Sequence, residues 1–332
     1  MNATTSIRTK GILAAALATA FAAAAWAVPS DSRGSFDRTL KVSEPASVDV
    51  RTSSGNLHVT RGDSASVVIH AEIRAGHGDW DGDSGAEARI RQIEQNPPIE
   101  QDGNTIRIGH THDNDLYHNI SISYDIRVPG QTNLEAHTGS GDITASGVQL
   151  EISGHSGSGN IRVEDAGARV ELTAGSGDVT LRNARGGGRL SAGSGNVTAE
   201  GVAGSLHASS GSGNVRVEMS GPGEVEATSG SGNIRVHGVK GAVRGSTGSG
   251  DIEAAGEQQG DWHLRTGSGN VTVELPKGAG FELDAHSGSG TIQTDREILV
   301  QGTLSRRDIH GKAGSGGPLL ELRTSSGSIY VR

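Results

Sequence analysis

The chain has 332 residues, of which 52 are glycine, 3% are aromatic and none is cysteine. Its 29 basic and 38 acidic residues give a net charge of -9. An acidic chain without basic blocks argues against nucleic-acid binding and against docking on anionic lipid, and the lack of cysteine excludes a disulfide scaffold.

Residues 1–27 read as a signal peptide. Arg8 and Lys10 form a short basic region, Gly11 to Ala25 is apolar and Ala-rich, and Ala25-Trp26-Ala27 supplies small residues for cleavage. Export to the periplasm or the extracellular space is therefore expected. No later apolar run of about 20 residues occurs, so no membrane insertion is expected after cleavage. Residues 28–47 form a polar lead segment that contains Phe36-Asp37-Arg38-Thr39-Leu40.

Residues 48–130 read as an N-terminal coil followed by an irregular capping region. Val67 to Ile73 has strand character. Ala86 to Gln95 carries Ala88, Ile90 and Ile93 between charges and predicts a short helix, ending before Asn96-Pro97-Pro98. Thr105 to Ile108 and Ile120 to Pro129 predict two more strands.

Residues 131–332 are a repeat. Gly-Ser-Gly-Asn/Asp starts at Gly139, Gly157, Gly175, Gly193, Gly211, Gly230, Gly248 and Gly267, in steps of 18 or 19 residues. Ile or Val follows each copy. A ninth, Gly288-Ser289-Gly290-Thr291, comes 21 residues later. With the residue after the phrase as position 0, apolar or small residues recur at positions 0, 2, 5, 7, 9, 11 and 13. One unit gives Ile161, Val163, Ala166, Ala168, Val170, Leu172 and Ala174. This alternation predicts strands with one face inward. It breaks at positions 3 and 4, as in Glu164-Asp165, and again at the glycine phrase. Each unit then reads as a short strand, a turn, a longer strand and a second turn.

Such a unit cannot bury its apolar face alone, but stacked units can. The expected fold is all-β: a parallel β-solenoid, or β-helix, with about 18 residues per coil and an irregular N-terminal elaboration containing one short helix. The alternative is a flat antiparallel meander. Position 13 is always small or Thr, so the core should be narrow. The ends echo each other: Arg51 to Val59 parallels Arg323 to Val331. A first coil thus precedes the irregular zone, and the open ends need caps. The helix and residues 295–320 are the candidates.

The serial Gly-Ser-Gly-Asn/Asp-Ile/Val copies from Gly139 to Val271 carry a family resemblance. Ile126-Arg127-Val128-Pro129 and the closing Thr324-Ser325-Ser326-Gly327-Ser328-Ile329 extend it. Over roughly residues 36–332 the chain resembles the bacterial DUF4097 family of β-strand-repeat proteins, which bears a provisional adhesin label. The resemblance implies an envelope-exported β-solenoid without known catalysis, and supplies no functional residues.

Candidate chemistry is sparse. The turn column Asp142, Asn160, Asp178, Asn196, Asn214, Asn233, Asp251 and Asn270 could suggest calcium. Five of these eight are neutral Asn, so a structural ladder between coils is expected instead. Asp79, Asp81 and Asp83 resemble the start of a calcium loop. Ser84 and Ile90 stand where its Gly and bidentate Glu belong, so a solvated acidic loop is the better reading. His110 and His112, with Asp113, Asp115 and His118 nearby, form the best candidate for zinc or copper, although a surface His pair is the commoner case. No Gly-x-Ser-x-Gly elbow precedes a helix. The reading reached is a non-enzymatic, exported structural or adhesin-like module at the bacterial cell envelope. It takes no cofactor, is expected to be a monomer, and meets an envelope protein or glycan. The alternatives are a carbohydrate-active β-helix enzyme, or a periplasmic metal or calcium binder using residues 76–118.

Overall fold

A computed structural model describes residues 33–76, 85–110, 115–300 and 305–332. The signal-peptide reading of residues 1–27 lies outside them. Through the repeat, each coil contributes two short parallel strands to two faces of a solenoid. On the first face Ile152–Ser156 pairs with Val170–Ala174, Ile152 lying beside Val170. On the second, Ile161–Glu164 pairs with Val179–Arg182, Ile161 lying beside Val179. Equivalent residues one 18-residue unit apart are therefore neighbours, and the antiparallel meander is not formed.

The inward phase follows the sequence pattern at six positions. Ile161, Val163, Ala166, Val170, Leu172 and Ala174 are all buried. Position 7 departs from it: Ala168 is half-buried and Gly186 exposed. Residues 165–169 round a corner, where Gly167 N–H donates to Val148 O at 3.0 Å. The expected longer strand is consequently only five residues in the regular coils. The position-4 residues at this corner are left-handed, with φ of 75° at Gly147, 56° at Asp165, 53° at Asn183 and 68° at Gly201. Gly, Asn and Asp are the residues that tolerate that region. Farther along, Ile234–Thr247 and Ile252–Thr266 run through the corner as continuous strands. Trp262 and Phe281 are fully buried near that end, so the core is not uniformly narrow.

The glycine phrase is a turn at which successive coils approach backbone to backbone. Asn160 N–H donates to Asp142 Oδ1 at 2.7 Å, and Asp178 N–H to Asn160 Oδ1 at 2.9 Å. The same bond repeats through Asn196, Asn214, Asn233, Asp251 and Asn270. Inside the turn, Ser156 Oγ donates to Gly141 O of the preceding coil at 2.9 Å and accepts from Gly159 N–H at 2.8 Å. A Cβ on Gly159 would overlap the carbonyl oxygen of Gly141; glycine is required there for approach rather than for its φ.

Stack order differs from chain order at both ends. Ala46–Thr52 lies between Thr132–Thr138 and Thr105–Ile108, with Val48 beside both Leu134 and Ile106. Leu57–Arg61 lies between Ile143–Ser146 and Ile120–Val128. The first coil is thus not the outermost; the irregular zone supplies the coil outside it. The C-terminal end mirrors this. Leu319–Thr324 is inserted between Ile252–Thr266 and Phe281–Ser287, with Leu320 beside Trp262 and Leu283. Ile329–Val331 is inserted between Val271–Glu274 and Ile292–Thr294. The two echoing segments are both second from an end.

Antiparallel strands close the stack. Arg33–Lys41 pairs with Ser66–Ala75, which pairs with Ile120–Val128. The polar lead therefore holds a strand, anchored by Phe36, whose ring meets Tyr124 edge-on at 6.3 Å. Burial pushes the Tyr124 phenol up, with a smaller contribution from Tyr117, so it stays neutral. The expected helix is present as Ala86–Gln95 and buries Ala86, Ile90 and Ile93. Its Glu94 carboxylate accepts from Ser35 N–H at 2.9 Å, occupying one donor of the edge strand. At the other end Asp308–Ala313 pairs antiparallel with both Phe281–Ser287 and Ile298–Val300. No helix among the described residues is long and apolar enough to cross a membrane.

Val179 is fully buried in the middle of the stack. Val179→Asp places an unpaired carboxylate there, at a cost of about 3 kcal/mol or more. Its melting temperature should fall by at least about 6 °C; an unchanged melt would contradict the inward phase.

Candidate functional site

The outward residues of both faces are polar, and they form columns because equivalent positions stack. On the first face a groove of about 390 Å³ crosses four adjacent coils. Asp49, Glu135, Glu151 and Glu171 line it, with Arg169 at one end. Asp49 sits 3.2 Å from Arg51 Nε and 2.9 Å from His110 Nε2. His137 Nε2 lies 2.8 Å from Glu135 Oε1. Beyond Arg169 a second groove of about 190 Å³ continues past His207, Glu226 and Arg244, and His207 Nδ1 is 3.1 Å from Glu226. An acidic stretch from Asp49 to Glu171 thus gives way, beyond Arg169, to charges of both signs.

The second face carries a notch of about 200 Å³ between the Asn233, Asp251 and Asn270 ladder residues and the outward column Arg235, Glu253, Thr272 and Tyr330. Arg235 Nε and His237 Nε2 reach Glu253 at 3.3 and 3.2 Å. The Arg332 guanidinium lies 6.0 Å from the centre of the Tyr330 ring.

Near the C-terminal end of the first face the charges form a connected network. Glu321, on the inserted strand, lies 2.7 Å from both His263 and Arg265 of one neighbouring coil. Arg323 joins it at 3.2 Å and reaches Asp284 of the other neighbouring coil at 2.7 Å. Asp284 also faces His310 Nδ1 at 3.0 Å, and His286 bonds Asp308 across the closing antiparallel pair. The network ties the inserted coil to both neighbours and to the cap. A hydrogen bond from His263, opposed by partial burial and helped by Arg265 and Arg323, brings the Glu321 carboxyl down to about 2. The His286 hydrogen bond lowers Asp308 in the same direction.

The residues singled out in the sequence do not assemble into a metal centre within the region described. Asp79, Asp81, Asp83 and His112 lie outside the described residues. His110 is directed to Asp49 on the first face, while His118 is exposed in the turn before Ile120. Among the described residues no group of three or more His, Asp or Glu side chains could hold a metal ion. The Asn/Asp column makes the expected ladder, with one side-chain oxygen of each residue accepting the next backbone N–H. Two features were missed by sequence reasoning. Position 13 was read as small or Thr and valued only for its size, although its recurring Ser and Thr hydroxyls bridge successive turns. Tyr330 was not singled out, yet unlike the buried Trp262 and Phe281 it stands on an outer face; its odd place in the strand alternation is the signal that could have found it.

The Toastrack DUF4097 family model matches residues 45–332. The chain belongs to the DUF4097 family. No curated protein matches this DUF4097 chain. Among solved structures it is similar to a candidate adhesin from Parabacteroides merdae ATCC 43184, at 13% identity, with 73% of this chain and 96% of that chain covered and a TM-score of 0.46. A candidate adhesin from Bacteroides fragilis NCTC 9343 is 17% identical, with coverages of 73% and 97% and a TM-score of 0.37. A candidate cell adhesion protein from Clostridium sporogenes ATCC 15579 is 12% identical, with coverages of 90% and 99% and a TM-score of 0.22.

Glu321 belongs to the class of carboxylates whose folded-state pKa is depressed. Its contribution is present above its ordinary pKa of 4.5 and is lost as pH falls toward about 2. At neutral pH, Glu321→Gln should lower the melting temperature by about 2–4 °C, the shift for about 1 kcal/mol in a domain of this size. The difference from the unmodified protein should shrink between pH 4.5 and about 2. Parallel melts across that range check this; a constant difference would contradict it.

Proposed function

We propose that this DUF4097 protein is a non-enzymatic, exported, adhesin-like interaction module of the bacterial cell envelope. The observation that carries the reading is the shape and chemistry of its outer faces. Successive coils present polar side chains in columns, and the largest groove described is an open furrow crossing four of them. A stiff surface of this kind suits many weak polar contacts made together, where avidity exceeds any single contact. Membership of the family is in keeping with this role, and the amino-terminal sequence pattern supports export. The partner is an envelope glycan or protein.

The test is retention of the purified protein on immobilised envelope fractions, with outer membrane and cell-wall sacculi assayed separately. Retention on one of them is expected. Reversing the furrow charges through Glu135→Lys, Glu151→Lys and Glu171→Lys together should change that retention by about tenfold, equivalent to about 1.4 kcal/mol, if the first face is the contact. Passage through every fraction without retention would contradict the reading.

A further inference from the structure

We propose that the notch on the second face is a binding subsite for one neutral pyranose ring of a glycan. The proposal rests on the interaction-module reading above and gives it a ligand class. Four residues of one outward column, Arg235, Glu253, Thr272 and Tyr330, stand on adjacent strands. Thr272 is the shortest of them. It forms a floor between the Tyr330 ring and the Glu253 carboxylate, which stand two coil steps apart, about 10 Å. The cavity above that floor measures about 200 Å³, room for a single sugar ring rather than a peptide segment.

A pyranose offers an apolar C–H face and a rim of hydroxyl groups. Tyr330 supplies a ring suited to C–H contact for the first, and the Arg332 guanidinium stands over that ring, 6.0 Å from its centre. The second is met by an interruption in the ladder. At Asn160, Asn196 and Asn214 the carboxamide nitrogen is spent on the preceding ladder residue. At Asn233 and Asn270 only the oxygen is used, and Asp251 likewise engages one carboxylate oxygen. Within two coil steps of Tyr330, one amide donor on Asn270 and one carboxylate acceptor on Asp251 therefore line the notch without a protein partner, with the Asn233 amide one step farther along. Glu253 is already balanced by Arg235 and His237, and Arg332 lies 3.6 Å from Glu274. The remaining charge of the notch, the Asp251 carboxylate, would repel an anion, so the site suits an uncharged sugar rather than a uronic or sialic acid.

Saturation-transfer NMR on the purified protein tests this, using the methyl glycosides of glucose, galactose, mannose and N-acetylglucosamine at millimolar concentration. At least one should receive saturation at its ring C–H protons. Tyr330→Ala should weaken it at least tenfold, whereas Tyr330→Phe should keep most of it because the ring remains. Thr272→Arg, at an outward position, should fill the floor and abolish binding; circular dichroism and melting confirm that all three variants are folded. No transfer to any of the four glycosides would overturn the subsite, as would undiminished transfer in folded Thr272→Arg. Retention of the unmodified protein on an envelope fraction without glycoside transfer would sink the subsite and leave the module reading standing. Glycoside transfer without such retention would do the reverse.

Discussion

Each coil of this protein packs tightly on the next at the Gly-Ser-Gly-Asn/Asp turn, and the rest of the architecture depends on that contact. Backbone meets backbone there, so a side chain on Gly159 has no room above Gly141. The Asn or Asp that ends the phrase then accepts the next coil's amide N–H through its side chain. Both requirements recur at constant spacing because a shifted turn would lose its partner on either side. The constant period, the small residue at position 13 and the high glycine content all serve one stacking distance. This is a satisfied set of buried backbone groups as much as a hydrophobic core.

The same turn chemistry shows how the ends are made. Ser287 Oγ, in the outermost C-terminal coil, donates to Gly327 O of the inserted coil, and Thr324 Oγ1 of the inserted coil donates to Gly269 O. At the amino-terminal side Thr138 Oγ1 donates to Gly55 O, and Asp142 N–H to Asn56 Oδ1. The ladder therefore runs through the inserted segments in space while skipping across the chain. A solenoid whose first and last coils lay at its ends could fray from them. Here each is held by strand pairing on both sides, with the antiparallel strands and the helix placed outside. The charge network around Glu321 reinforces the C-terminal insertion.

Much of this was legible in the residues. The inward phase, both turns, the helix at Ala86–Gln95 and the ladder role of the Asn/Asp column all follow from local patterns that a repeat displays many times over. Stack order was not legible, because a sequence shows which coils are alike and not which are adjacent. The likeness of Arg51–Val59 to Arg323–Val331 was its only trace, and it reflects two segments at opposite ends that each have a parallel coil on both sides. The strand Arg33–Lys41 was hidden because only Phe36 is buried along it. Position 7 was misread because small residues suit a tight corner as well as an interior. For function, a repeat gives least: its recurring residues are explained by stacking. The informative residues are those that depart from it, such as Tyr330 and the unspent carboxamide of Asn270 in the coil beside it.

The central claim is that both terminal coils lie inside the stack, held through the turn ladder on both sides. Hydrogen–deuterium exchange resolved by segment tests it most directly. Amides of residues 319–331 should be protected to the same degree as those of 252–274, and more strongly than those of the outer segments 292–300 and 308–313. Fast exchange at 319–331, with protection rising steadily toward the middle of the chain, would be the behaviour of coils stacked in sequence order and would contradict the account.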